Sequence, residues 1–102
     1  MKFVIQWTSR PGASGRDNEE TQKRLQAVFG KWSPSPSATI HQYVGRIDGR
    51  GGFAVVDTDD ANAMAGDLSV FTPYFDYTIF PVVDIQDLVA VGQAAIELRD
   101  SI

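Results

Sequence analysis

Apolar and polar positions change period several times along this chain, and each change marks an element. From Lys2 to Thr8 the residues Phe3, Ile5 and Trp7 alternate with Val4, Gln6 and Thr8, the period of two expected of a strand. Arg10-Pro11-Gly12 ends it, because Pro has no N–H to give a ladder and Gly accepts turn geometry. Leu25, Val28, Phe29 and Trp32 then recur at helical spacing, opposite Glu19, Glu20, Gln22, Lys23, Arg24 and Gln26, which predicts an amphipathic helix capped by Asp17 or Asn18. Ser33-Pro34-Ser35-Pro36-Ser37 breaks it.

Alternation returns over Thr39 to Ile47 and again over Phe53 to Thr58, with the glycine-dense Asp48-Gly49-Arg50-Gly51-Gly52 between them, so these two runs form an antiparallel hairpin. Thr58, Asp59 and Asp60 offer side-chain oxygens to the start of a second helix, in which Met64, Ala65, Leu68 and Phe71 share a face. Thr72-Pro73 stops that helix, and Tyr74 to Val83 reads as a fourth strand. Pro81 places the far end of this strand at a sheet edge. Asp84 begins a last helix, with Asp87 as a capping-box partner. From Ile85 to Leu98 its apolar residues exceed one stripe, so it needs more than one neighbour.

The resulting order, β-α-β-β-α-β with an added C-terminal helix, is the α+β ferredoxin-like pattern: two helices on one face of a four-stranded antiparallel sheet, in a single domain spanning 1–102. Neither sheet face is uniformly polar, and covering the second by a second copy of the chain is the simplest solution. Composition narrows the partners. A net charge of -4 without a basic cluster argues against nucleic acid, whose phosphates require Lys and Arg to displace counterions. No segment has the roughly 20 apolar residues of a membrane span, and MKFVIQWT enters a strand without a leader pattern, which predicts a soluble, cytoplasmic protein. With no cysteine there is neither a disulfide nor a thiolate nucleophile.

MKFVIQWTSRPG, GGFAVVDTDDANAM and FDYTIFPVVD, in that order and spacing, resemble a family of uncharacterised bacterial proteins in the dimeric α/β-barrel superfamily. Members carry an acidic residue at the position of Asp57 and a proline at that of Pro81; the final helix here extends beyond the usual ending. The resemblance implies a homodimer. Its superfamily includes cofactor-free monooxygenases, haem-degrading enzymes, polyketide cyclases and proteins without known activity, so it does not select a reaction.

His41 is the only histidine, and simple alternation sets it on the face of Tyr43, beside Phe53, Val55 and Asp57 of the neighbouring strand. In a pocket, His41 would serve as a general base and Tyr43 as a hydrogen-bond donor, with Gln6, Asp57 and Phe80 completing a ligand-binding set. The plainer accounts are a surface histidine, and an Asp57 paired with Arg46 or Arg50. Asp57, Asp59 and Asp60 lack the ligand pattern of a calcium loop, and one histidine is too few for a common transition-metal site, so neither a metal nor a cofactor is expected. Gly49-Arg50-Gly51-Gly52 opens a strand rather than a helix and is no phosphate loop. Two functions remain: a non-catalytic dimer that binds a small apolar or aromatic ligand or acts as an interaction module, and, as the alternative, a cofactor-independent monooxygenase or cyclase acting on an aromatic or polyketide-like substrate.

Overall fold

Seven elements follow the order that the periodicity predicts. The computed structural model describes residues 1–102 as β1 (Lys2–Ser9), α1 (Gly15–Lys31), β2 (Thr39–Gly45), β3 (Gly51–Asp57), α2 (Ala61–Ser69), β4 (Phe75–Val82) and α3 (Ile85–Asp100). The sheet runs β2-β3-β1-β4 and every pair is antiparallel, the ferredoxin-like arrangement of an α+β chain. β4 is an edge strand, where Pro81 withholds no ladder bond from a neighbour.

The pleat sorts side chains between two faces. Ile5, Ala54 and Val56 are buried on one of them, with Trp7, Ile40, Met64, Leu68 and Tyr77 packed around them. This is the helix face and holds the core. Val4, Gln6, Phe53, Val55, Asp57 and Phe80 alternate onto the other, open face. Leu68 packs on the core from α2, whereas Asn62 is exposed. Leu68→Ala is expected to cost about 2–3 kcal/mol through lost burial and a residual cavity, and Asn62→Ala to be nearly neutral. Equal urea midpoints for the two variants would show that α2 presents a different side to the sheet.

Helix starts depart from expectation in two places. Ser14, not Asp17 or Asn18, is the N-cap of α1, its hydroxyl accepting from the Asp17 N–H at 3.1 Å. Asn18 instead accepts from the Gly12 N–H at 2.6 Å, tying the preceding loop to the first helical turn. Asp60 caps α2 as expected, accepting from the Ala63 N–H at 2.9 Å, while Thr58 accepts from the Asp60 N–H at 3.1 Å. Asp84 occupies the N-cap position of α3 but makes no capping bond, because its carboxylate is taken by the Lys2 ammonium at 2.6 Å.

The β2–β3 turn depends on Gly49, whose φ of +73° is the left-handed conformation that β-carbon-bearing residues avoid. β2 carries one irregularity, a register shift between Ile40 and Gln42 opposite Val56 and Val55. α3 departs most from a packed fold. None of its residues is buried, and the chain measures 64 × 29 × 20 Å. No helix of the chain is long and apolar enough to cross a membrane.

Candidate functional site

The register shift in β2 decides which side chains meet. A bulge places two residues of one strand opposite one of its partner and so breaks strict alternation. Ile40 and Tyr43 both lie on the helix face, where they line one cleft, while His41 is set on the open face with its Nε2 3.9 Å from Asp57 Oδ2. The expected pairing of His41 with Tyr43 therefore does not form. Asp57, Gln6 and Phe80 stand on the open face with His41, and Tyr43 stands apart from all four.

His41 and Asp57 are each a little under half exposed, so they flank water rather than a cavity. Asp57 pairs neither with Arg46 nor with Arg50. The amino group of Met1 donates to Asp57 Oδ1 at 3.2 Å and to Asp59 Oδ1 at 3.0 Å, and Arg46 is held by Asp48. The Met1 amino group is held above its ordinary pKa, first by its hydrogen bond to Asp59 and then by that to Asp57. The bond from Lys2 likewise depresses the Asp84 carboxyl and raises the Lys2 ammonium.

The helix face contains an apolar cleft. Strands β1, β2, β3 and β4 supply its floor; Met64, Asp67 and Leu68 of α2, Trp32 at the end of α1, and Pro34 and Ala38 of the following loop supply its walls. Thirteen of its fifteen lining residues are hydrophobic, so the cleft favours apolar matter, and its volume is ≈ 60 Å³. Trp7 lies at the centre of the aromatic floor, its ring centroid 5.3 Å from that of Tyr43 and 6.2 Å from that of Phe75. Such tilted contacts are favourable arrangements for aromatic pairs.

Three polar features interrupt this lining. The Trp32 Nε1–H is buried and has no acceptor, an arrangement that costs about 1–3 kcal/mol. Asp67 lines the cleft, but its Oδ2 already accepts from the Ser35 N–H at 3.0 Å, which ties the Pro-rich loop to α2. Burial raises the pKa of the Tyr43 phenol, and burial together with the charge of Tyr43 pushes Tyr77 to about 12. Both hydroxyls stay protonated at neutral pH and act as donors rather than bases. Trp32 marked a core-facing helical stripe in the sequence, and its unpaired donor has no sequence signal. A second, polar hollow of ≈ 560 Å³ lies beyond Trp7 between Arg10, Gln22 and Arg50, with Arg10 held by Asp76 at 3.0 Å.

Among solved structures, the chain is similar to SnoaB, a cofactor-independent oxygenase from Streptomyces nogalater, at 15% identity and a TM-score of 0.35, covering 81% of this chain and 92% of that one. A point variant of the same oxygenase matches at 17% identity and a TM-score of 0.33 with the same coverage. None of the curated proteins matches the sequence. Residues 1–96 match the family model of a domain of unknown function, DUF3303, and the chain belongs to that family.

Proposed function

We propose that this chain is a non-catalytic homodimeric module whose helix-face cleft holds a small, largely aromatic ligand bearing an acceptor oxygen. The observation that carries this reading is an aromatic, largely apolar cleft whose lining residue Trp32 has a buried, unpaired N–H. A ligand carbonyl or ether oxygen would give that donor its missing bond, and the rings of Trp7, Tyr43 and Phe75 would give the ligand a face to stack on. Tyr43 is the one residue of the expected ligand set in contact with this space. His41, Asp57, Gln6 and Phe80 belong instead to the surface that meets the second copy.

Two further points favour binding over turnover. The cleft is far below the roughly 300–1,000 Å³ of sites that enclose whole substrates, so it grips a ring or the end of a larger molecule. It also lacks a base poised near neutral pH, since its two phenols titrate high and the one histidine lies on the opposite sheet face.

Both tryptophans of the chain, Trp7 and Trp32, line the cleft, so tryptophan emission reports on this site. Titration with a panel of aromatic ketones, phenols and their hydrocarbon analogues is expected to quench or shift that emission, with the oxygen-bearing members binding more tightly. Trp32→Phe keeps the ring shape and removes the donor. It is expected to weaken the oxygen-bearing ligands by about 3- to 10-fold, the worth of one hydrogen bond, and to leave the hydrocarbons unchanged. No fluorescence response to any member up to millimolar concentration would refute the cleft as a binding site, and product formation from any of them would refute the non-catalytic reading.

A further inference from the structure

We infer that α3 is an intersubunit arm, which in the dimer buries its apolar surface on a second copy of this chain. The inference rests on the homodimer of the preceding reading and adds the element that makes it stable. At 1.5 Å per residue the sixteen residues of α3 reach about 24 Å. The link to β4 is only Val83 and Asp84, and a Lys2–Asp84 ion pair of 2.6 Å spans the point where the helix leaves the sheet. Along that direction it meets nothing of its own chain, and every large apolar side chain on it lies between 43% and 70% exposed.

The pattern on α3 is that of a packed helix. Leu88, Val91, Ala95 and Leu98 recur at spacings of three, four and three, and Ile85, Val89, Gly92 and Ile96 at four, three and four. At 3.6 residues per turn these two adjoining seams span roughly 180°, broken only by Arg99, while Gln86, Gln93 and Glu97 occupy the opposite side. A solvated helix needs no such surface, and an isolated helix of this length is marginal in water.

Area identifies the occupant. Burying one Val, Leu, Ile or Phe completely removes about 60–120 Å² from water, from its 1.5–3 kcal/mol at about 25 cal/mol per Å². A stable interface takes about 800 Å² from each partner, of which some 57%, or about 450 Å², is apolar. On the open sheet face the exposed Val44, Phe53 and Phe80 offer only roughly 120 Å² of that kind at their observed exposures. The large apolar residues of α3 with Ile102 add roughly 400 Å², which brings the sum to what a dimer requires. The sheet face is too small alone and α3 covers no surface of its own chain; a second copy answers both needs at once.

The test uses the full chain. Leu98→Asp and Val91→Asp place a carboxylate in one seam, and Gln93→Asp places one on the polar side as control. Because α3 touches no core residue, the near-ultraviolet circular dichroism of the cleft tryptophans is expected to stay unchanged in all three. Sedimentation equilibrium is expected to show a wild-type dimer, its dissociation constant raised at least about tenfold by each seam substitution and less than about threefold by Gln93→Asp. In wild-type protein above that constant, the amides of Ile85–Asp100 are expected to resist hydrogen exchange. A dimer that the seam substitutions leave intact, with freely exchanging α3 amides, overturns the arm and spares the homodimer. A wild-type monomer overturns both, and open-ended higher oligomers overturn the closed exchange between two copies.

Discussion

Replacing Gly52 with alanine is expected to cost at least about 3 kcal/mol, near the upper end for overpacking a core, and to lower the urea midpoint by roughly 1–3 M. Gly52 lies buried in β3, opposite Trp7 of β1 and Gly45 of β2. A β-carbon built there would stand 2.2 Å from the Val44 carbonyl oxygen and 2.5 Å from the Trp7 ring. The ring cannot simply swing aside, because it packs against both Tyr43 and Phe75, and the carbonyl belongs to the adjacent strand. Relief therefore requires β2 to move off β3, which opens the hairpin and the cleft floor together. A domain of this size holds about 5–15 kcal/mol in total, so the variant retains little margin. Gly66→Ala is the contrasting case: its β-carbon meets nothing within 4 Å, and alanine in a helix interior is expected to gain about 0.5–1 kcal/mol. Opposite movements of the two midpoints at one protein concentration are the expected result; a Gly52→Ala midpoint within about 0.5 M of wild type would show that the hairpin yields easily.

Elements were legible in the sequence wherever a period persisted, because burial on one face requires it. Phe3, Ile5 and Trp7 marked β1, and Met64 and Leu68 marked the buried side of α2. Strand order followed from the connections, and Pro81 correctly placed β4 at an edge. The site was legible only in part, and one residue explains why. A single bulge at His41 shifts every later β2 side chain to the other face relative to simple alternation, so Tyr43 enters the cleft while His41 stays beside Asp57, where alternation sets it. No residue in Thr39–Gly45 announces that bulge. Capping failed for a related reason: Ser14, Asp17 and Asn18 are all competent caps, and the choice among them depends on where Gly12 finds its acceptor. The apolar breadth of α3 was plain in the sequence, whereas its projection away from the core was not, because breadth is a property of the residues and projection one of the chain's path after Val82.

Phe71→Ala is expected to be the other large loss, about 3–5 kcal/mol, the usual cost of emptying a buried phenylalanine site. Phe71 is only 4% exposed, although it lies beyond α2 in the turn that leads to β4. That turn is held by the Phe71 N–H donating to the Leu68 carbonyl at 3.0 Å and by the Tyr74 and Phe75 N–H groups donating to the Phe71 carbonyl at 2.9 and 3.1 Å. Its ring centroid lies 4.5 Å from that of Phe29, 5.1 Å from Trp32 and 6.1 Å from Phe75. Phe29 and Trp32 sit in and just past the last turns of α1, and Phe75 begins β4, so this one ring joins α1 to the sheet. α1 has no buried residue of its own. Removing Phe71 therefore does more than leave a cavity: it deprives α1 of an anchor and Trp32 of the ring packed edge-on against it. The variant is expected to shift tryptophan emission to the red, to raise hydrogen exchange across Gly15–Lys31 and to lose aromatic ligands from the cleft. Phe71→Leu, which keeps most of the volume, should cost under about 1.5 kcal/mol and preserve binding. If Phe71→Ala instead left the emission and the exchange of α1 unchanged while lowering stability, the ring would be ordinary core and α1 would owe its position to the Pro-rich loop, where Asp67 holds the Ser35 N–H.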